Sequence, residues 1–331
     1  MKILVTGGGG FLGKRIVELL LEREHEVLSL ARGAYPEVEA LGATCVQADL
    51  RDADAVLKAV EGVDAVFHVA AKAGAWGPRE QYWGINVEGT RNLLDACEKA
   101  GVGKLVYTST PSVVSYEHDI VNGAQDLPYA TSYKTFYPES KAEAERMVLR
   151  ANSRHIATVS LRPHLIFGPG DNNLLPRFLL GHLKGRLRIL GDGTNVVDAT
   201  FVDNAAWAHL DAAAALSGPD APCAGKAYFI SNDEPVKLWE WVNDFLPRVE
   251  APPVNKKISL GVASTVGGLM EGTWRLFNLS GEPRMTKFLA AALARSHWYD
   301  MTPAKEDFGY RIRVPLAEGT DRTVAWFKEA D

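Results

Sequence analysis

Short apolar segments alternate with amphipathic segments through the first half of the chain. Strand-like apolar runs occupy positions 2–6, 26–31, 43–48, 63–70, 103–109 and 156–162. Helical patterns fall between these runs, one of them ending at Leu21 and others spanning 52–61 and 86–99. Strands that alternate with helices in this way form a parallel sheet covered by helices on both faces. The pattern therefore predicts an α/β fold with a doubly wound parallel sheet over residues 1–165.

This alternation stops after Phe167, where loop signals and a basic helical pattern near 176–186 take over. Residues 200–216 and 226–232 return to helix and strand patterns, and a mostly helical tail follows. We therefore expect residues 1–165 and about 200–232 to form the sheet domain. The remaining segments, 166–199 and 233–331, are expected to form a smaller, mostly helical substrate-binding lobe.

A cluster of glycines separates the first predicted strand from the first predicted helix. Gly7, Gly8, Gly9 and Gly10 are consecutive, and Gly13 follows three residues later. They satisfy Gly-x-Gly-x-x-Gly counted from Gly8 and Gly-x-x-Gly-x-x-Gly counted from Gly7. Between a strand and a helix, such glycines let the backbone approach a pyrophosphate at the helix N-terminus. An isolated glycine cluster is often only a tight turn, but this placement predicts dinucleotide binding by a Rossmann-type domain.

The end of the second predicted strand indicates which dinucleotide binds. NAD-selective sites usually place an acid there, where it bonds the ribose 2′-hydroxyl. Here the strand ends Leu30-Ala31-Arg32 without a carboxylate. A guanidinium can pair with the 2′-phosphate of NADP, whereas the alternative interpretation is a solvated arginine in a turn. We expect NADP(H) as the cofactor.

Tyr137 and Lys141 lie four residues apart in a segment predicted to be a helix that opens at Pro138. Side chains with this spacing share one helix face, so the phenol and the ammonium can reach one site. A neighbouring cation lowers the pKa of a phenol, which suits the tyrosine to exchange a proton near neutral pH. Such a pair alone is more often structural. Together with a dinucleotide turn, it predicts a carbonyl reductase or an alcohol dehydrogenase.

The composition agrees with this prediction and excludes few alternatives. The 331 residues include 36 basic and 41 acidic side chains, giving a formal net charge of −5, so no broad basic surface indicates nucleic-acid binding. Cys45, Cys97 and Cys223 form neither a metal-ligand cluster nor a Cys-x-x-Cys pair, so we expect free thiols and no metal site. Met1 leads directly into a strand and no apolar run is long enough to span a bilayer, so we expect a cytoplasmic chain.

Four motifs in combination resemble those of the extended short-chain dehydrogenases/reductases. They are the turn from Gly7 to Gly13, Asn86-Val87-x-Gly89-Thr90, Thr108-Ser109-Thr110 and Tyr137-x-x-x-Lys141. Within that superfamily the chain is similar to the 3β-hydroxysteroid dehydrogenase branch. The segments KAGAWG (72–77), VYTSTPSV (106–113), AGKAYFISN (224–232) and HWYDM (297–301) further resemble the bacterial 2-alkyl-3-oxoalkanoate reductases of long-chain olefin biosynthesis.

This resemblance implies a reaction and the residues that perform it. The reaction is NADPH-dependent reduction of a long-chain 2-alkyl-3-oxoalkanoate, a β-keto acid, to the 2-alkyl-3-hydroxyalkanoate. Tyr137 would be the general acid, Lys141 would hold the nicotinamide ribose, and Thr110, with Ser109 as the adjacent alternative, would hydrogen-bond the substrate oxygen. The cofactor-binding residues expected are Gly7, Gly10, Phe11, Leu12, Gly13, Arg32, Asp49, Leu50, Ala70, Ala71, Lys72, Thr108, Ser109, Tyr137, Lys141 and Pro163.

Several features near the expected substrate pocket have two interpretations each. His164 either meets a substrate carboxylate or is structural, and Asn86 is expected to tie a helix to the sheet. The uncharged run 258–270 either covers a pocket for alkyl chains, which we favour, or rests on a membrane surface. The basic side chains of the lobe either form a solvated face or bind an acid group of the substrate; they are Arg177, Lys184, Arg186 and Arg188. Three aromatic side chains either pack their loop or line an apolar tunnel for the substrate; they are Trp76, Tyr82 and Trp83.

Other functions can use the same scaffold. A 3β-hydroxysteroid dehydrogenase acts on a similarly apolar molecule. A nucleotide-sugar epimerase or dehydratase has the same motifs, although Pro111 and Ser112 stand here where dehydratases place acids. A non-catalytic NADP-binding sensor usually lacks the tyrosine or the lysine, and this chain has both. The resemblance also implies a homodimer and association with neighbouring enzymes of the same pathway.

Overall fold

The computed structural model of the chain describes residues 1–114 and 118–329. The strands, in chain order, are β1 (Lys2–Thr6), β2 (Glu26–Ala31), β3 (Thr44–Gln47), β4 (Ala65–His68), β5 (Lys104–Thr108), β6 (Ile120–Gly123), β7 (Ala157–Pro163), β8 (Ile166–Phe167), β9 (Ile189–Leu190), β10 (Val196–Val197), β11 (Thr200–Phe201), β12 (Ala227–Ile230), β13 (Val236–Lys237), β14 (Lys257–Ile258) and β15 (His297–Tyr299).

The α-helices, in chain order, are α1 (Phe11–Leu21), α2 (Pro36–Glu39), α3 (Ala53–Ala59), α4 (Arg79–Tyr82), α5 (Gly89–Ala100), α6 (Phe136–Arg150), α7 (Leu174–Leu183), α8 (Val202–Ala215), α9 (Leu238–Arg248), α10 (Leu260–Leu276), α11 (Lys287–Ala294), α12 (Thr302–Phe308) and α13 (Leu316–Glu329). A π-helical turn, Trp83–Glu88, joins α4 to α5, and a short 3₁₀ turn, Pro111–Val113, follows β5. Among the described residues, none of these helices has the length and apolar character needed to cross a membrane.

Seven parallel strands form the main sheet, in the order β12-β7-β5-β4-β1-β2-β3. Helices cover both faces, so successive side chains of a strand enter different apolar cores. On β1, Ile3 and Val5 belong to one buried cluster and Leu4 to the other. The predicted α/β, doubly wound fold is confirmed.

The helix that carries Tyr137 begins at Phe136, two residues before the predicted start at Pro138. The N–H groups of a first helical turn have no partner within the helix, so a proline at the third helical position removes no hydrogen bond. Because the helix starts earlier, Tyr137 and Lys141 both lie within it. Their side chains therefore have the i, i+4 relation that the sequence predicts.

The last strand of the main sheet comes from late in the chain. β12 pairs in parallel with β7, and the 14-residue helix α8 lies between them in sequence, packed against α1. The segments outside the sheet form α7, α9, α10 and α11 together with three small sheets, β13-β10-β15-β6, β11-β8 and β14-β9. These elements stand beyond the carboxyl ends of the parallel strands, where open α/β sheets bind their ligands.

Candidate active site

The glycine turn that follows β1 is closely packed. Gly7 has a φ of +72°, a conformation that side chains other than glycine rarely adopt. A Cβ on Gly13 would lie 2.1 Å from the carbonyl oxygen of Gly7, so a larger residue would collide with backbone. α1 begins beside this turn, and Gly10 offers no capping side chain to its first N–H groups. The turn therefore has the shape and the free donors that suit a pyrophosphate.

Arg32 directly follows β2 and is exposed. It lies on the wall of the cavity that also contains the glycine turn. Asp49, after β3, accepts from Arg51 Nη2 at 2.6 Å and from the Arg51 backbone N–H at 2.9 Å. These hydrogen bonds from Arg51 lower the pKa of the Asp49 carboxyl, and the charge of Arg32 adds to the shift. The charge of Asp49 is therefore balanced by Arg51, which the sequence analysis does not single out.

Asn86 fixes the loop after β4 to α6. Its Oδ1 accepts the Lys72 backbone N–H at 2.7 Å, and its Nδ2 donates to the Lys72 carbonyl at 3.1 Å and to Ser140 Oγ at 2.9 Å. Ser140 lies between Tyr137 and Lys141 on α6. Asn86 thus ties the helix to the sheet, as expected, and it does so next to Tyr137 and Lys141.

Tyr137 points toward the hydroxyl groups that follow β5. Its phenol is half-buried near the Thr110 side chain, whose Oγ1 lies 3.0 Å from Ser112 Oγ. Thr110, rather than Ser109, is therefore the hydroxyl that reaches the phenol. Burial raises the pKa of Tyr137, and the Thr110 hydrogen bond opposes that shift only in part. The sequence predicts a lowered pKa for Tyr137, and this prediction is wrong for the structure, because burial disfavours the phenolate more than its polar neighbour favours it.

Lys141 is 2% exposed, and its Nζ donates to the Thr108 carbonyl at 2.6 Å and lies 4.1 Å from the centre of the Tyr107 ring. Burial lowers the pKa of its ammonium to about 7, with Glu145 acting in the opposite direction. One helical turn on, Glu145 forms a buried ion pair with Arg162 at 2.6 Å and accepts from Tyr129 at 2.7 Å. This network holds α6 against β7 and so fixes the position of Lys141 in the site.

One cavity of about 1580 Å³ connects these groups with the lobe. Every predicted catalytic or cofactor residue except Lys72 lies on its wall. Lys72 is the exception because Asn86 holds its backbone and its Nζ lies over the Tyr82 ring, 5.9 Å from the ring centre. Farther from the sheet, the wall is largely apolar and includes Leu174, Phe178, Met270, Met285, Phe288, Leu289 and Leu293.

His164 and His297 meet at the junction between the sheet and the lobe. Nε2 of His164 lies 2.6 Å from Nδ1 of His297, and Nε2 of His297 lies 2.7 Å from the Ala292 carbonyl. Burial lowers the pKa of both rings, so both are neutral near pH 7. The Ala292 carbonyl requires a proton on His297 Nε2, which makes His164 the donor of the pair. The structural interpretation of His164 therefore fits better than binding of a carboxylate.

Of the aromatic residues whose role was open, Trp76 lies on the cavity wall. The Tyr82 hydroxyl donates to the carbonyls of Gly74 and Trp76, and Arg79 stacks on Trp83, so these two rings pack the loop. Arg177, Arg186 and Arg188 line the cavity, and Lys184 is exposed outside it.

Several wall residues escaped sequence reasoning. Ser112 could have been found from the run of hydroxyl and proline residues after β5, and Tyr35 from its position just past Arg32. His297 begins the HWYDM segment that resembles the reductases, but its contact with His164, 133 positions away, could not be inferred from that segment.

The sequence of the chain is similar to those of known proteins. The sequence matches the 3-beta hydroxysteroid dehydrogenase/isomerase family over residues 4–260. It is 51% identical to a 2-alkyl-3-oxoalkanoate reductase of Stenotrophomonas maltophilia, over 98% of this chain and 99% of that protein. It is 36% identical to a decarboxylating sterol-4-alpha-carboxylate 3-dehydrogenase of Mus musculus, over 98% of this chain and 91% of that protein.

Solved structures show the same architecture. The crystal structure of gox2253 has a TM-score of 0.81 and 27% identity, covering 99% of this chain and 98% of that one. A dTDP-glucose 4,6-dehydratase from Streptomyces venezuelae, solved with NAD bound, has a TM-score of 0.76 and 25% identity, covering 99% and 97%. These likenesses support a nicotinamide dinucleotide as the cofactor.

The parallel sheet, the glycine turn and the tyrosine–lysine pair define an oxidoreductase of the dehydrogenase/reductase type. More closely, the chain belongs to the 3-beta hydroxysteroid dehydrogenase/isomerase family, within the extended short-chain dehydrogenases/reductases.

Proposed function

We propose that the chain is an NADPH-dependent reductase that converts a long-chain 2-alkyl-3-oxoalkanoate to the 2-alkyl-3-hydroxyalkanoate. The observation that carries the proposal is the convergence of Tyr137, Thr110 and Lys141 on one cavity that runs from the glycine turn into an apolar lobe. The name of the Stenotrophomonas relative, 51% identical over nearly the whole chain, supports the substrate class.

The glycine turn and the start of α1 would hold the pyrophosphate, and Lys141 would hold the nicotinamide ribose. A reduced nicotinamide supplies a hydride when bound. Tyr137 donates its phenolic proton to the oxygen on which negative charge develops, and Thr110 directs a hydroxyl at the same oxygen. Donors aimed at a developing alkoxide in a water-poor site are where such enzymes lower the barrier. Burial raises the pKa of Tyr137, so the phenol is protonated at neutral pH and ready to donate.

Arg32 supports NADP over NAD. It lies on the cavity wall at the end of β2, the place where the ribose 2′-substituent is recognised in this fold. No carboxylate stands directly after β2, where Arg32 and Gly33 follow, and Asp49 is already paired with Arg51. A 2′-phosphate would therefore meet a guanidinium without opposing an unpaired acid.

The far wall of the cavity supports an apolar, lipid-like substrate. Leucine, methionine and phenylalanine side chains from α7, α10 and α11 form much of it, and such a surface suits the burial of alkyl chains. Arg177, Arg186 and Arg188 lie on the same wall and can pair with the acid group of such a substrate. Two alkyl chains can leave C2 and C3 of a β-keto acid and pack along these side chains while the carbonyl stays beside Tyr137.

The test follows oxidation of NADPH with purified protein and a panel that contains 2-alkyl-3-oxo acids of several chain lengths, a 3-ketosteroid and a nucleotide sugar. We expect turnover with the branched oxo acids and faster turnover with NADPH than with NADH. Turnover with the steroid alone would replace the substrate class, and equal rates with both coenzymes would remove the role of Arg32.

A further inference from the structure

Exposed apolar side chains concentrate on two helices of the lobe. Twelve large apolar side chains are exposed in the described part of the chain, and eight of them lie on α7, on α10 or just after α10. These eight form what we name the α7/α10 surface: Leu180, Leu183, Val262, Val266, Leu269, Leu276, Phe277 and Leu279. Scattered exposed leucines need no explanation, but a concentration of this kind marks an interaction site.

The spacing on α10 shows that this exposure is organised. Val262, Val266, Leu269 and Leu276 recur at intervals of three, four and seven, so they share one face of the helix. The opposite face is buried through Ala263, Gly267 and Glu271. α10 is therefore apolar toward solvent along its length, and Leu269 and Leu276 are 68% and 78% exposed.

The charges around this surface have one dominant sign. The segments 174–190 and 259–289 contain seven arginines and lysines against two glutamates, in a chain whose formal net charge is −5. Glu271 is buried, and Glu282 is paired with Arg177 at 3.5 Å. The basic residues are Arg177, Lys184, Arg186, Arg188, Arg275, Arg284 and Lys287, and all except Arg188 are exposed.

The same two helices enclose the apolar end of the cavity. Arg177, Phe178 and Gly181 of α7 and Met270 of α10 lie on its wall, while their neighbours Leu180 and Leu269 face outward. These two helices thus lie between the cavity and solvent and place apolar side chains on both of their sides. A molecule that leaves an apolar phase at this surface would meet mainly apolar side chains, together with Arg177, on its way to the cavity.

We propose that the α7/α10 surface docks on an anionic phospholipid membrane and that the cavity takes its substrate from the bilayer. Leucine, valine and phenylalanine side chains surrounded by lysine and arginine are the composition of helices that lie in a membrane interface. Anionic headgroups attract such clustered cations, whereas the centres of protein–protein interfaces are depleted of lysine. The route for the substrate rests on the proposed function; the docking itself does not.

The test measures co-sedimentation of the full chain, with NADPH present, with vesicles of phosphatidylcholine alone or mixed with phosphatidylglycerol. We expect binding to the mixed vesicles, weakened by added salt, and little binding to phosphatidylcholine. Because no turnover is needed, failure of the proposed reaction would leave this result standing, and failure of docking would leave the reaction standing.

Variants then assign the binding to the surface. Leu269→Gln/Leu276→Gln/Phe277→Gln should weaken partition roughly tenfold or more, because three apolar side chains no longer enter the interface. Lys184→Gln/Lys287→Gln should reduce binding to mixed vesicles and its dependence on salt. Leu41→Gln, an exposed leucine on the sheet domain, is the matched control and should bind like the wild type.

Circular dichroism and turnover of a short, water-soluble oxo acid establish that each variant is folded, and the single variant Leu276→Gln replaces the triple one if that protein fails to fold. Absence of wild-type binding to mixed vesicles at low salt would overturn the proposal. So would equal binding by wild type and Leu276→Gln, or a wild-type oligomer that the apolar variants convert to monomer, because the surface would then contact a second copy of the chain.

Discussion

The two ends of the cavity differ in how their side chains are held. At the sheet end, hydrogen bonds hold Thr110 and Lys141 beside Tyr137, and a turn of glycines leaves no room for a side chain at Gly13. At the lobe end, apolar side chains from α7, α10 and α11 form the wall, and α7 and α10 also expose leucines to solvent. The difference indicates that the positions of the reacting groups are set by local geometry at the sheet end. The choice of substrate, in contrast, depends on the apolar side chains of the lobe helices.

Removal of the Tyr137 hydroxyl should have the largest effect. Tyr137→Phe is expected to lower kcat by about 10²–10⁴-fold, the usual contribution of a positioned proton donor, while NADPH still binds. Steady-state kinetics and fluorescence titration with NADPH measure the two effects. Tyr133→Phe is the control, because Tyr133 donates to the Val113 carbonyl and lies off the cavity wall. Equal kcat values for the two variants would separate Tyr137 from the reaction.

Arg32 should determine coenzyme preference. Arg32→Ala is expected to weaken NADPH binding by about 1.5–3 kcal/mol, since a hydrogen bond to a charged phosphate is lost. NADH has no 2′-phosphate and serves as the internal control, with unchanged affinity. If both coenzymes lose affinity equally, Arg32 supports the turn rather than recognising the phosphate.

A single methyl group added at Gly13 should disturb the glycine turn. Gly13→Ala places a Cβ against the Gly7 carbonyl and should lower the free energy of unfolding by about 1–3 kcal/mol and weaken NADPH binding. Gly218→Ala is the matched control, because a Cβ there meets no atom within 4 Å. Chemical denaturation and coenzyme titration distinguish the two. A stable Gly13→Ala protein with normal affinity would mean that the turn opens easily.

The lobe can be tested by making the cavity smaller. Ala292→Leu should lower kcat/KM for the longest oxo acids by about tenfold and leave the shortest ones nearly unchanged, because added bulk in an apolar pocket discriminates by about 1–3 kcal/mol. A uniform loss across chain lengths would show instead that Ala292 acts through the His297 contact at its carbonyl.

Burial of Lys141 should produce a small dependence of stability on pH. Burial lowers the pKa of its ammonium to about 7, whereas a lysine in an unfolded chain has a pKa of about 10.4. Between these values the unfolded state binds more protons, so the free energy of unfolding rises with pH, by at most about 1.4 kcal/mol per pH unit.

This contribution is best measured between about pH 7 and 7.5, because unfolded thiols, with a pKa of about 8.5, release protons increasingly above that range. The Lys141→Met variant should lose the rise in urea denaturation experiments, and Lys58→Met, which changes an exposed lysine, should keep it. The same slope in wild type and Lys141→Met would contradict the buried position of the ammonium.

The sheet end could be predicted from sequence because its signals are local. The strand, the glycine turn and the helix follow one another within 21 residues, and Tyr137 and Lys141 are neighbours on one helix. The side-chain direction of Lys72 could not be predicted, because it depends on the contacts of Asn86 and Tyr82.

The lobe end could be predicted only in outline. The uncharged run after 258 was expected to cover a pocket, and Met270 does so, but its outward leucines follow from packing against α11. His297 and Leu293 reach the cavity from far along the chain, and no local pattern indicates such long-range contacts.

Transfer of deuterium from NADPH that carries deuterium at both hydrogens of nicotinamide C4 tests the central claim most directly. With a 2-alkyl-3-oxo acid as substrate, we predict one deuterium at C3 of the hydroxy acid for the wild type and almost no labelled product for Tyr137→Phe. Label at another carbon, unlabelled product, or equal labelling by the two proteins would contradict the account.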